Sequence, residues 1–344
     1  MKCCSPLPYL LVGMMVLSAC RKDAPQEPSN TPITVGEGGV YVINEGNFGW
    51  GNAGVSYFDI ASGNVVEDLY APANGTSLGD VCQSMRIFNG KGYLVVNNSN
   101  KVVVVDPDLF TVTATITGFA SPRYLLPVSN AKAYVTDLGA DAIAVVDLSN
   151  NTITGSIACP GSTEELVLAY GRAFVTDPDR AYLYVIATAT DEMVDSIPVS
   201  RGGNSIQEDA NGKLWVACSG GSGTPPALYR IDPITLAVET MLPFPQATDS
   251  PWRLAMNGTR DVLYFLNDAV FRMAITDDAL PTAPFIPTND RNFYGLGVEP
   301  RTGMVHVADA IDYVQRGRVF RYAPDGSSVG SYTAGIIPGS FCFR

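Results

Sequence analysis

Histidine is the scarcest side chain in these 344 residues, present once as His306. A conventional zinc site built on histidines needs more than one imidazole. A Ser-His-Asp triad needs one placed to carry protons. His306 sits at an alternating strand position, where a structural role is expected, so both chemistries are set aside. Basic residues are also few: 22 Lys and Arg face 34 Asp and Glu, a formal charge of −12. Nucleic-acid affinity rests on phosphate neutralisation by Lys and Arg, so no nucleic-acid partner is expected. No Gly-rich phosphate loop leads from a strand into a helix, no helix is predicted, and neither a CxxC pair nor a calcium-loop spacing occurs. No catalytic residue, metal or cofactor is therefore expected.

Long apolar runs are missing beyond the N-terminus. Leu7 to Leu17 contains Pro8 and Gly13 and is too short for a hydrocarbon core of about 30 Å. With Lys2 before it and Leu17-Ser18-Ala19-Cys20 at its end, residues 1–19 read as a lipoprotein signal peptide with a lipobox. Cleavage would make Cys20 the lipidated first residue, and its acyl chains suffice for stable anchoring. Residues 20–38, rich in Pro, polar and charged residues, read as a flexible tether. The membrane would then be met through the lipid anchor alone. Four further cysteines, Cys82, Cys159, Cys218 and Cys342, permit two disulfides in any of three pairings, or four buried thiols.

What the chain does have is a repeat. Two or three apolar residues followed by a small polar one recur as Tyr41-Val-Ile-Asn44, Leu94-Val-Val-Asn97, Tyr134-Val-Thr-Asp137 and Phe174-Val-Thr-Asp177. The pattern continues as Trp215-Val-Ala-Cys218, Tyr264-Phe-Leu-Asn267 and His306-Val-Ala-Asp309. The closing residues are 53, 40, 40, 41, 49 and 42 apart, close to the length of a propeller blade. Each copy is followed by two more alternating segments, and from the second copy on it is preceded by another. Four strands per repeat predict an all-β, seven-bladed β-propeller over 39–344. The first copy lacks an inner strand, and a spare segment, Gly339 to Phe343, remains at the C-terminus. The C-terminal strand is expected to close the first blade.

In such a ring, loops after the second and fourth strands share one face. The closing residues Asn44, Asn97, Asp137, Asp177, Asn267 and Asp309 are thus expected near one rim, with Cys218 at the seventh place. Segments entering the inner strands bring Arg86, Arg123, Tyr124, Trp252, Arg253, Phe293 and Tyr294 to it. The Asn/Asp ring also has a plain reading as turn chemistry, and the aromatics as packing between blades. Asn47, Phe48 and Trp50 stand apart, because the loop Gly46-Asn-Phe-Gly-Trp-Gly-Asn52 is too glycine-rich to build core. Large aromatics in such a loop usually meet something from outside.

The Tyr134-Val-Thr-Asp137 and Phe174-Val-Thr-Asp177 repeats, each followed by a strand ending in Asp, resemble the YVTN/YncE-type propellers. The opening Val40-Tyr-Val-Ile-Asn-Glu-Gly-Asn-Phe48, right after a lipobox and tether, is similar to surface lipoproteins of Bacteroidetes that include BtuG-like receptors. That resemblance implies an outer-membrane, cell-surface binding protein rather than an enzyme. It also implies a corrinoid such as cobalamin as ligand and a TonB-dependent transporter as partner. A protein-interaction or adhesion propeller is the alternative that the same face allows.

Overall fold

The computed structural model describes Met1, Val35, Gly36 and residues 38–344. The signal peptide, Cys20 and nearly all of the tether lie outside the described residues. The tether's end is already docked: the buried Val35 donates its N–H to the Asp108 carbonyl, and the Tyr57 hydroxyl donates to the Gly36 carbonyl.

Seven antiparallel sheets follow one another around a central axis. The inner strands of blades 2 to 7 are Cys82–Phe88, Pro122–Pro127, Leu166–Ala169, Gly203–Glu208, Trp252–Met256 and Phe293–Val298. Blade 1 takes its inner strand, Pro338–Phe343, from the C-terminus, where it pairs antiparallel with Gly39–Asn44. Ring closure by the last strand is as the sequence predicts.

The seven apolar clusters fill the seven gaps between neighbouring blades. Consecutive side chains of a second strand point to opposite faces. Tyr93 and Val95 therefore pack toward blade 3, while Leu94 and Val96 pack toward blade 1. Both faces are buried, which explains why the repeat reads as a continuous apolar run. His306 belongs to this packing. It is fully buried among the strands of blades 7 and 1, beside Phe341 and Phe343.

Two local features differ from the sequence reading. Blade 6 has three strands, and its fourth is reduced to a single bridge between Val270 and Ile286. The segment in that place carries Pro281, Pro284 and Pro287, none of which has an N–H to give a ladder. A short helix, Tyr70–Asn74, follows a third strand in blade 1 cut to Val65–Val66, where no helix was predicted. Gly75 ends that helix at φ +68°, a left-handed cap that glycine adopts without a Cβ clash. The four cysteines among the described residues are free thiols. Cys82, Cys159 and Cys218 are buried and Cys342 partly so. Burial raises all four pKa values, to about 12 for Cys159 and Cys218 and about 11 for Cys342.

Candidate functional site

The inner strands share one irregularity that decides what faces the axis. Each carries a β-bulge near its entry, an extra residue that the partner strand does not match. The extra residues are Gln83 between Cys82 and Ser84, Asn204 between Gly203 and Ser205, and Tyr294 between Phe293 and Gly295. In blade 3, Arg123 and Tyr124 stand against Thr136 alone, and in blade 6 Arg253 and Leu254 against Phe265 alone. In blade 4, Thr176 bonds both Glu164 and Glu165. Blade 1 has Gly339 as its extra residue, and a Cβ there would lie 2.4 Å from Glu45 Oε1. Glu45 thus fills the position that the glycine leaves open.

A bulge turns its side chain out of the ladder, so seven bulges at one height deliver a polar ring to the axis. These residues line a central cavity of about 1040 Å³. Seven of them form one hydrogen-bonded chain, while Asn204 donates to the Gly202 and Pro251 carbonyls. Arg123 grips Glu164 through two bonds of 2.6 and 2.7 Å and donates a third to Gln83 Oε1. Gln83 donates to the Tyr124 hydroxyl at 3.3 Å, which also accepts from Arg253 Nη1 at 3.3 Å. Arg253 Nη2 lies 3.1 Å from Glu45 Oε1, and the Tyr294 hydroxyl donates to Glu45 Oε2 at 3.0 Å. The Tyr124–Arg253 bond joins blade 3 to blade 6 across the lumen.

Arg253 is the strained member. Its φ is +53°, in the left-handed region disfavoured for a side-chain-bearing residue, and its Nε–H is buried without a partner. Its guanidinium lies 4.8 Å from the Trp252 ring centre and 5.7 Å from that of Tyr294. Burial opposes its charge, but Tyr124, Glu45, Tyr294 and Glu164 together raise its pKa. Beneath the ring, Glu165 accepts the Ile206 N–H at 3.1 Å. Burial, reinforced by Glu164, lifts the Glu165 pKa to about 8 despite that bond and the opposing pull of Arg253 and Arg86. Burial also raises the Tyr124 hydroxyl to about 12.

The mouth of the cavity is aromatic. Trp252 and Tyr294 meet edge to face at 5.0 Å, and Tyr294 meets Tyr313 at 5.6 Å. Phe48 lines the opening and is 75% exposed, whereas Trp50, two residues on in the same loop, is 76% exposed and is not among the residues lining the cavity. Their loop is braced rather than loose. Asn47 donates to the Tyr313 carbonyl and accepts from Asn52, and the Gly49 N–H donates to Asp80 Oδ2 at 2.7 Å.

The structure therefore gathers Phe48, Arg86, Arg123, Tyr124, Trp252, Arg253 and Tyr294 of the expected residues on one cavity. The Asn/Asp ring does something else. Asp137 accepts the N–H groups of Ala120, Ser121 and Gly139. Asp177 accepts from Asp179, Arg180 and the Tyr184 hydroxyl, and Asp309 from Asn292 and Ile311. Asn44 joins Ser56 to Gly335, and Asn267 joins Ser250 to Asp249. Asn97 donates to Ser121 and Pro122 at the cavity edge. Their polar atoms are taken up in bracing turns and seams, because a short Asx side chain bonds backbone nearby more readily than it reaches the axis. Phe293 is buried between blades 6 and 7. Sequence reasoning missed Glu45, Glu164, Glu165 and Asn204. For Glu164, Glu165 and Asn204 the one signal is a polar residue or pair at an inner strand's entry, whereas Glu45 follows the second strand of blade 1 and carries no such signal. Among the described residues no group of three or more His, Cys, Asp or Glu is placed to hold a metal, and no helix is long and apolar enough to cross a membrane.

Residues 38–318 match the family described as a domain of unknown function, DUF5074. The chain belongs to the DUF5074 family. This DUF5074 chain is 30% identical over 168 residues to the seven-bladed β-propeller protein Rv1057 of Mycobacterium tuberculosis. That match covers 44% of the chain and 39% of the relative, so it spans about two-fifths of that protein's length. Among solved structures, a quinoprotein alcohol dehydrogenase-like protein of Bacteroides thetaiotaomicron superposes with a TM-score of 0.70 at 15% identity, over 89% of this chain and 78% of that one. A functionally unknown protein of Desulfotomaculum acetoxidans gives 0.64 at 12% identity, over 89% and 98%. Hydrazine synthase of Kuenenia stuttgartiensis gives 0.57 at 14%, over 73% and 85%. At such identities these structures share the fold with the DUF5074 chain, and no enzymatic activity comes with it.

Proposed function

We propose that this DUF5074 propeller is a capture protein that holds a polar, ring-bearing small molecule at the mouth of its central cavity. The observation that carries the reading is the bulge ring, which converges a polar group from every blade on one lumen beneath an aromatic mouth. Pockets that bind small molecules combine apolar walls with a few well-placed polar groups. A corrinoid such as cobalamin is the leading ligand. Its broad, amide-edged macrocycle suits aromatic surfaces at Phe48, Trp50, Trp252 and Tyr294, with donors and acceptors beneath. The resemblance of the repeats and opening segment to surface lipoproteins extends the reading to an outer-membrane protein anchored by lipid at Cys20. It would face the cell surface and pass its ligand to a TonB-dependent transporter.

Calorimetric titration with cyanocobalamin and cobinamide tests this. Saturable submicromolar binding that weakens in Trp50→Ala and Trp252→Ala is expected, whereas no heat from folded protein removes the corrinoid. A second reading, a protein-interaction or adhesion propeller, draws on one observation. Ile311, Tyr313 and Val314 are exposed near Phe48 and Trp50, an apolar patch suited to a macromolecular partner. It predicts a stoichiometric protein partner in cross-linking, and no small-molecule heat.

A further inference from the structure

Three arginines line the central cavity, and two of them have carboxylates. Arg123 is gripped by Glu164 and Arg253 by Glu45. Arg86, on the inner strand of blade 2, lines the same cavity and is exposed to it. Among the described residues its side chain makes no ion pair and no hydrogen bond. The remaining carboxyl of the cavity, Glu165, accepts the Ile206 N–H instead of pairing with Arg86, and burial raises its pKa to about 8. A protein of net charge −12 thus keeps an uncompensated positive charge inside its lumen.

Arg253 adds a second unpaired donor. Its Nε–H is buried and unpartnered, and its backbone is held at φ +53°. Its two existing lumen bonds, at 3.1 and 3.3 Å, are long for a charged donor. Strain and an orphan donor on one residue are the marks of a group set for something that arrives later. Arg86 and Arg253 line the same central cavity. Guanidinium is the side chain best matched to carboxylate and phosphate oxygens.

We propose that the lumen is an oxyanion site, in which Arg86 supplies the charge and the Arg253 Nε–H a hydrogen bond to a carboxylate or phosphate group of the captured molecule. This rests on the capture reading and narrows its ligand to molecules bearing such a group. The neutral rim aromatics then hold the body of the ligand, while the arginines below fix its anionic arm.

The test follows thermal unfolding of the intact chain across concentration series of inorganic phosphate and of acetate, each against potassium chloride at matched ionic strength. A saturable rise in Tm with at least one oxyanion is expected, beyond the chloride control. The anion with the lower half-saturation tells a phosphate arm from a carboxylate arm. In Arg86→Gln half-saturation should move up about 10-fold or more, as for a lost charged hydrogen bond, and Arg86→Lys should recover part of it. Because Arg86 has no partner in the fold, Arg86→Gln in chloride should melt with wild type. A fall of several degrees there would make Arg86 a structural group and overturn the proposal. So would a response in Arg86→Gln equal to wild type, or none in either protein. Titrating both proteins with cyanocobalamin separates the two readings. Equal corrinoid binding in both leaves capture standing and removes the oxyanion site. An Arg86-dependent oxyanion response without corrinoid binding keeps the site and removes the corrinoid.

Discussion

Replacing Glu165 with Gln isolates one electrostatic component of this cavity. Burial holds the Glu165 carboxyl at a pKa of about 8 in the folded protein, against about 4.3 for an ordinary glutamate in an unfolded chain. Between those values the folded state keeps a proton that the unfolded state has released. Its contribution to stability is therefore complete below the lower value and is lost as pH rises through the higher one. Each pH unit is worth about 1.4 kcal/mol, which sets a ceiling of roughly 5 kcal/mol. The carboxyl also meets the water of the cavity, where the effective dielectric is well above that of dry protein, and about 2 kcal/mol is the expected size. Urea unfolding of wild type and Glu165→Gln, at intervals from about pH 5 to about pH 9, reads it directly. The stability of wild type relative to the variant should fall by about 2 kcal/mol across that range. Parallel curves, or a relative gain by wild type with rising pH, would refute the assignment of a neutral carboxyl.

Acid should act at a different seam. Burial, with Arg321 nearby, lowers the His306 pKa to about 3, so stability falls as pH drops from about 6.5 toward that value. His306→Leu should flatten that limb in thermal melts between about pH 7 and about pH 4. Asn44→Ala removes the acceptor of the Gly335 N–H at the closing seam and should cost about 2 kcal/mol in chemical unfolding. Gly258→Ala would place a Cβ 1.8 Å from the Pro300 carbonyl oxygen. A loss of about 3 kcal/mol or more is expected, seen as a lowered Tm or insoluble protein. Trp50→Ala, by contrast, should leave Tm nearly unchanged, within about 0.5 kcal/mol, because the ring is mostly exposed.

The ring of blades was legible because burial on both strand faces forces unbroken apolar triplets such as Tyr134-Val-Thr and Phe174-Val-Thr, at a period no other architecture explains. The spare C-terminal segment was legible for a simpler reason, since Gly39–Asn44 had no inner neighbour before it. Blade 6 departs because three prolines occupy the place of its fourth strand, and the period alone carries no word of that. The cavity was half legible. Arg123, Tyr124, Arg253 and Tyr294 stood out as large side chains at strand entries, and they do line it. The acidic half did not stand out, because a bulge shifts register by one residue without changing composition. Glu164 and Glu165 look like a polar lead-in until Thr176 is seen to bond both. Asn and Asp at the ends of second strands were expected near one rim with turn chemistry as their plain reading, and Asp137 and Asp309 do accept from the turns beside them.

The seven bulges also bear on how such a molecule diversifies. An unmatched residue takes no share in register and little in the apolar gaps between blades, so exchanging it alters what is displayed at the cost of its own hydrogen bonds while strand pairing is unchanged. Gln83, Asn204 and Tyr294 sit in separate blades and are fixed by separate strands. They can vary one at a time, like letters in a word whose spelling leaves the page intact. Gly339 goes further, lending its place to Glu45, which is anchored elsewhere in blade 1. A lineage built on this frame can acquire new ligands through substitutions that leave the register of its blades untouched.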